Sequence, residues 1–460
     1  MTRFIASLVD TVFPICTVLL TCTVLAACAP TPDPPPGEVR SDLRDVILIT
    51  ADTWRGDHAL TTVAGVELTP RLADFAQDAR VFSAAQSVGN CTSVGTAGIL
   101  TGLLPHRSAV TANVHRLPPE ATSITSLLSD AGYATAAFVA NPVLRLKMGF
   151  EQGFDVYRRI DRRGPRWKTR GEQLNIEAMA WLDEQLPDQP IFLWVHYMEP
   201  HGPYEPLDTD VEPFELDAFG EPVELPLLGE GDQSGLGGVP YYQHGGLEDP
   251  STDGRWYAVR YAAEVRSFDR VFGQLLDGID RRGRLANAWV AVTSDHGEAL
   301  LGEHGRYFCH AFGLTADQVD VPLMLRCPAD LDDPDLRTRC EPGERSDPVS
   351  VTDLAPTLVA GLGLEPPATG FDGTSLFDPT PRPALSQHRE RVALRRGPWK
   401  LIRSPDGTEQ LFHLLDDPGE RDDLSAAEPT TFGELRQELD ALLALPPVAE
   451  PQDRLNIEHK

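Results

Sequence analysis

Two segments far apart in this chain share one layout. Asp45-Val46-Ile47-Leu48-Ile49-Thr50-Ala51-Asp52 and Trp289-Val290-Ala291-Val292-Thr293-Ser294-Asp295-His296-Gly297-Glu298 are each a short apolar, β-branched run that stops at metal-binding side chains. Such runs read as strands of a parallel sheet buried on both faces, and ligands of open α/β sheets collect outside the carboxyl ends of the strands. The layout therefore predicts that Asp52, Asp295 and His296 converge on one spot. A single carboxylate after a strand is commonly a solvated loop residue or a helix N-cap. Asp-His-Gly-Glu after one strand and Asp-Thr-Trp-Arg-Gly-Asp-His after the other make that reading insufficient. Two carboxylates and an imidazole suit a divalent cation of the Ca, Mg, Mn or Zn kind.

Between and around these segments, helix and strand signals alternate. Thr69-Pro70 opens a helix through residue 76, with Pro in its first turn. Residues 123–131 read as a second helix stopped by Gly132, 133–139 as a strand, 172–186 as a helix, 191–195 as a strand and 257–279 as a long amphipathic helix. This order predicts an α/β fold, a mostly parallel sheet with helices on both faces. Residues 205–253, rich in Gly, Pro, Asp and Glu, interrupt it and read as a long insertion, either a cover for the site mouth or a solvated surface loop. Beyond residue 384 the pattern changes to short strands over 391–395, 399–403 and 410–414. Asp406-Gly407 supplies a hairpin turn there, so a small C-terminal antiparallel sheet is expected.

The formal net charge of −29 disfavours nucleic acid as a partner, because the field around the protein repels a polyanion. The first 27 residues carry Arg3 and then an apolar stretch too short for a membrane span, which reads as an export signal. Leu25-Ala26-Ala27-Cys28 resembles the lipobox of bacterial lipoproteins. Ala29-Pro30-Thr31-Pro32-Asp33-Pro34-Pro35-Pro36 would follow as an extended tether. The expected organisation is a signal over 1–27, a tether over 28–43, an α/β domain over 44–383, an α+β subdomain over 384–445 and a tail over 446–460. The expected location is the cell envelope, facing the periplasm or the exterior, with the membrane contacted through a lipid on Cys28. Export permits disulfides among Cys91, Cys309, Cys327 and Cys340. Cys327 and Cys340 flank an acidic loop that favours local closure, and pairing of Cys91 with Cys309 would brace the proposed site.

The strand-end clusters do not stand alone. With Ile99-Leu100-Thr101-Gly102-Leu103-Leu104-Pro105-His106-Arg107, Phe192-Leu193-Trp194-Val195-His196-Tyr197-Met198-Glu199-Pro200-His201-Gly202-Pro203-Tyr204, Gly302-Glu303-His304-Gly305 and Val351-Thr352-Asp353-Leu354-Ala355-Pro356-Thr357-Leu358, the pattern resembles the sulfatases of the alkaline-phosphatase superfamily. The resemblance runs from about residue 45 to about residue 424. It implies an alkaline-phosphatase-like fold and a metal-dependent hydrolase of sulfate or phosphate and phosphonate esters. The ester would belong to a small molecule or a glycan.

In that family the nucleophile opens a Cys-x-Pro-Ser-Arg segment ten residues before the Gly of Leu-Thr-Gly. Counting back from Gly102 gives Thr92, not Cys91, and Val94, Gly95 and Thr96 stand where the family has Pro, Ser and Arg. Cys91 therefore lacks the context for conversion to formylglycine, and the chain resembles the branch that uses an unmodified Thr or Ser. Thr92 beside a divalent cation becomes a competent nucleophile and would lie near the ion. The family's sulfate-binding Lys and His are missing from Val139-Ala140-Asn141-Pro142-Val143-Leu144, which leaves Asn141 as a neutral donor to the ester. By the same resemblance His201 and His310 are the candidates to protonate the leaving group, with His304 as a substrate contact. His196, flanked by apolar residues, reads as a buried and satisfied histidine. Two rival classes fit the same residues: a catalytically inactive binding protein on this fold, and a transferase that passes the group from Thr92 to an alcohol.

Overall fold

Alternation along the central strands sends successive side chains into two separate core layers. In a computed structural model describing residues 43–161, 170–225, 239–244, 251–378, 380–450 and 452, eight strands form one sheet. These are β1 (Val46–Asp52), β2 (Arg80–Phe82), β3 (Ala134–Val139), β4 (Val156–Arg159), β5 (Ile191–Pro200), β6 (Trp289–Ser294), β7 (Leu323–Arg326) and β8 (Gly343–Arg345). Their order is β8-β2-β7-β6-β1-β5-β3-β4. β4, β3, β5, β1 and β6 run parallel, and β7 is antiparallel to both of its neighbours. The expected signal, Cys28 and the tether up to residue 42 lie outside the described residues, as does nearly all of the tail beyond residue 450.

Every residue of β1, β5 and β6 is buried, as strands covered on both faces require. Ile47, Ile49, Leu193, Val195, Val290 and Val292 enter one layer, and Val46, Leu48, Phe192, Trp194, Trp289 and Ala291 enter the other. Each such large side chain contributes about 1.5–3 kcal/mol on burial. A one-residue slip of a central strand would exchange the layers along its length.

The helices that cover the sheet are α1 (Pro70–Ala76), α2 (Thr92–Thr101), α3 (Ile124–Asp130), α4 (Gly171–Leu182) and α5 (Gly254–Asp280). Ser123 caps α3 by accepting from the Ser126 amide, and Asp253 caps α5 by accepting from the Arg255 amide. That second cap starts the long helix earlier than its apolar periodicity indicates. α5 fills the first layer with Tyr261, Phe268 and Phe272, whereas α2 lies in the second with Val94, Ala97, Ile99 and Leu100. α2 ends at Gly102, which adopts φ 65° and donates to the Gly98 carbonyl, a left-handed stop that suits glycine.

Four strands, β9 (Ala384–His388), β10 (Arg391–Arg396), β11 (Trp399–Arg403) and β12 (Glu409–His413), form the C-terminal antiparallel sheet. Sequence patterning finds the last three and misses β9. Asp406 accepts from the Thr408 amide and Gly407 takes φ 86°, which closes the expected β11–β12 hairpin. Helix α6 (Pro429–Leu443) buries Leu435 and Leu439 against Leu394, Leu401 and Leu411 of this sheet.

Cys327 and Cys340 are joined in a disulfide. The expected partnership of Cys91 with Cys309 is not formed, and both are free buried thiols. Cys91 precedes α2 and packs in the second core layer, while Cys309 belongs to the short strand Tyr307–Cys309, so the fold gives the two separate surroundings. Burial pushes each thiol up to about 12, where it is a poor nucleophile.

Candidate active site and metal centre

The two clusters read from the sequence meet because β1 and β6 are neighbours in register. Ala51 pairs with Ser294, so Asp52 and Asp295 leave adjacent strands at the same level. Asp52, Asp295 and His296 are all fully buried, and one ligand atom from each lies within 4.8 Å of the others. The His296 Nε2 is 3.7 Å from Asp52 Oδ1 and 3.8 Å from Asp295 Oδ2. Separations of this size allow a single ion to reach all three atoms at bond lengths of about 2.0–2.6 Å.

Hydrogen bonding selects these same atoms. Asp52 Oδ2 accepts from the Asn141 amide and faces His196 Nε2 at 3.5 Å, which leaves Oδ1 without a partner. Asp295 Oδ1 accepts from the backbone amides of His296 at 2.8 Å and Thr53 at 3.3 Å, which leaves Oδ2. His296 Nδ1 lies 2.8 Å from the Gly297 carbonyl and must be the protonated nitrogen, which leaves the Nε2 lone pair. Three buried acceptors aimed at one point carry a large desolvation cost that a cation offsets. The donor set therefore fits a divalent metal ion.

The electrostatics express the same strain. Burial would raise the Asp52 carboxyl, but His201, His196 and His296 hold it well below the usual carboxylate range. Asp295 is pushed far above that range by burial and then by the Asp52 charge. His296 is pushed down to about 3 by burial, with His310 adding to the effect. Without a cation the pair of carboxylates cannot both remain charged.

Thr92 opens α2 and is buried. Its Oγ1 lies 3.2 Å from Asn141 Nδ2, the same amide nitrogen that donates to Asp52. Asn141 thus links Thr92 to the metal centre. α2 reaches this position because Gly95 and Gly98 are small: a Cβ on Gly95 would stand 2.0 Å from the Asp295 carbonyl oxygen. Gly95→Ala is accordingly expected to push α2 away from the Asp295 backbone, destabilising the fold by about 1–3 kcal/mol. Thermal unfolding of the variant measures the loss, and an unchanged Tm would contradict the close approach.

His201 and His310 stand beside the triad. The His310 ring lies 4.5 Å from that of His296 and 5.1 Å from that of His201. Glu298 Oε1 is 3.0 Å from His310 Nδ1, and although burial works against it, this carboxylate raises the His310 pKa. Burial lowers that of His201. Part of the insertion also arrives here, since the Tyr242 ring stacks on His201 at 5.4 Å. Residues 226–238 and 245–250 of the insertion lie outside the described residues.

His304 is not brought to this cluster. The strands Ala299–Leu301 and Tyr307–Cys309 pair antiparallel and carry it to an exposed tip. There it lines a cavity of 1090 Å³ that includes none of the triad. His196 is buried, as its apolar flanks predict, and it also faces the triad. Its Nδ1 is 2.8 Å from Thr50 Oγ1, which itself accepts from Trp194 Nε1, so the ring is oriented with Nε2 toward Asp52. The signal lies in the register that sets Thr50 opposite His196, and a single sequence does not display it. Glu298 was likewise visible only as the last letter of a motif.

The Sulfatase family model matches residues 44–364. A choline-sulfatase of Rhizobium meliloti (strain 1021) is 32% identical over 178 residues, a span covering 36% of this chain and 32% of that one. Arylsulfatase K of Xenopus laevis is 22% identical over 88% of this chain and 83% of its own. Among solved structures, the phosphonate monoester hydrolase of Agrobacterium radiobacter superposes with a TM-score of 0.69 at 19% identity, covering 87% of this chain and 95% of that one. The chain belongs to the Sulfatase family, with the fold and the ester-hydrolase class that membership carries.

Proposed function

We propose that this protein hydrolyses phosphate or phosphonate monoesters, with sulfate esters as a secondary class, through Thr92 as the nucleophile. The observation carrying this reading is Asn141, whose amide nitrogen donates to Asp52 and lies 3.2 Å from Thr92 Oγ1. Asp52, Asp295 and His296 would hold a divalent ion of the Ca, Mn or Zn kind, which neutralises the nonbridging oxygens of the ester and favours the Thr92 alkoxide.

The Thr92 hydroxyl gives up its proton to solvent, and Oγ forms a bond to phosphorus while the bond to the leaving oxygen breaks. His310, its Nδ1 paired with Glu298 at 3.0 Å, would deliver a proton to the departing alkoxide. His201 orients the ester, and Asn141, with both amide N–H groups used, holds Thr92 beside Asp52. Water, giving a proton back to His310, then attacks the Thr92 ester; the bond from phosphorus to Oγ breaks, the threonine oxygen takes a proton from solvent, and phosphate or phosphonate is released. This last step favours phosphorus over sulfur. A formylglycine hydrate expels sulfate by elimination from its second hydroxyl, whereas an esterified threonine has no such hydroxyl and depends on direct attack by water.

A panel of 4-nitrophenyl sulfate, phosphate and phenylphosphonate, each assayed with Ca, Mn or Zn, tests the reading. Turnover of the phosphorus esters is expected to exceed that of the sulfate by at least about tenfold in kcat/KM. A clear preference for the sulfate, or no turnover with any ester and ion, would overturn it.

A further inference from the structure

A cavity of 410 Å³ is lined by Cys91, Asn113, Ala311, His388 and Arg389 among others. Two of its walls belong to the chain beside the active site, since Cys91 immediately precedes Thr92 and Ala311 immediately follows His310. The cavity therefore lies beside the active site, and its use by the leaving alcohol rests on the roles proposed above for Thr92 and His310. Its outer wall comes from the C-terminal sheet. His388 and Arg391 pair across β9 and β10, so Arg389 and Glu390 form a two-residue turn.

Arg389 takes φ 55°, at the first turn position, where glycine is favoured for just this conformation. Its backbone is fixed on both sides: its amide donates to the Thr111 carbonyl at 2.8 Å, and its carbonyl accepts from Gln387 Nε2 at 2.8 Å. Its guanidinium has no ion pair or hydrogen bond among the described residues. A strained arginine with no anionic partner among the described residues is a candidate for function. Asn113 Oδ1 accepts from the Ser93 amide, which fixes the side chain and leaves its NH₂ donors unused among the described residues. The wall thus carries the Arg389 guanidinium in a chain of net charge −29. Burial, then Arg389, Arg391 and His310, hold His388 down to about 4, with Glu390 acting the other way.

We infer that this cavity is a subsite for a second oxyanion carried by the leaving group, recognised by the Arg389 guanidinium and the Asn113 amide. Arginine offers planar paired donors that match carboxylate and sulfonate oxygens. The preferred substrate is then an ester whose alcohol bears its own anionic group.

The test compares leaving groups derived from phenol, 4-hydroxybenzoate and 4-hydroxybenzenesulfonate, in the wild type and in Arg389→Gly and Arg389→Lys. Arg389→Gly removes the guanidinium and suits the backbone, so the variant is expected to fold. The kcat/KM ratio of an anionic to a neutral ester should exceed about tenfold in the wild type and collapse toward one in Arg389→Gly, with Arg389→Lys in between. Preference for only one of the carboxylate and sulfonate esters supports the subsite and names its chemistry. Calorimetric binding of the free 4-hydroxybenzoate and 4-hydroxybenzenesulfonate, against phenol, reads the subsite without turnover. Equal ratios in wild type and Arg389→Gly overturn the inference, as does binding of neither anion more tightly than phenol. Failure of turnover together with Arg389-dependent anion binding would overturn the hydrolase reading and leave the subsite standing.

Discussion

Thr92→Ala is expected to lower turnover of any good ester substrate by at least about a thousandfold, because removing a nucleophile leaves only residual binding and electrostatic effects. Thr92→Ser keeps a hydroxyl on the first residue of α2 and should retain measurable turnover. The expectation rests on position. Thr92 Oγ1 shares the Asn141 amide with Asp52, while the neighbouring Cys91 thiol is packed among apolar side chains with its pKa pushed up to about 12 by burial. Steady-state kinetics on purified Thr92→Ala measures the loss. Activity within tenfold of wild type would remove Thr92 from the mechanism.

Asp52→Asn and Asp295→Asn should each weaken binding of the divalent ion by more than about a hundredfold, since loss of partners that merely orient ligands already costs 10–100-fold. Elemental analysis after dialysis against a chelator, followed by readdition, reads this directly. A second consequence has the opposite sign. Asp52 and Asp295 face one another in a buried site with their outward oxygens unpartnered. In metal-free protein, folding must either bury a second charge beside Asp52 or put a proton on Asp295; Asp295→Asn removes that cost and should raise Tm, by the same physics that makes an uncompensated buried charge destabilising. With the ion present the variant should be the less stable protein. Equal stability of the two metal-free proteins would contradict a shared cation site.

The sheet and the triad were legible because both rest on local pattern. Short apolar β-branched runs signal buried parallel strands, and the candidate ligands Asp52, Asp295 and His296 follow two of those strands directly. The proposed nucleophile, Thr92, comes from a count back from Leu100-Thr101-Gly102. What the sequence concealed depends on register and long-range closure. His196 faces Asp52 because Thr50 pairs with it across β1 and β5. Glu298 reaches His310 because the strand pair Ala299–Leu301 and Tyr307–Cys309 folds back, and the same reversal carries His304 away to the tip. Arg389 lines a cavity with Cys91 although the two are nearly three hundred residues apart. Free cysteines are equally unreadable, since pairing requires that two side chains meet, and Cys91 and Cys309 occupy separate surroundings.

The branch of chemistry turns on which atom becomes esterified, and mass spectrometry of the peptide spanning Cys91 and Thr92 reads that atom. The protein should be produced in a host able to convert cysteine to formylglycine, then mixed with substrate and quenched rapidly in acid. An unmodified Cys91 together with a phosphoryl or sulfuryl group on Thr92 is the predicted result. A formylglycine mass at Cys91, or an adduct on any residue other than Thr92, would contradict the assignment and return the protein to the formylglycine mechanism or to another nucleophile.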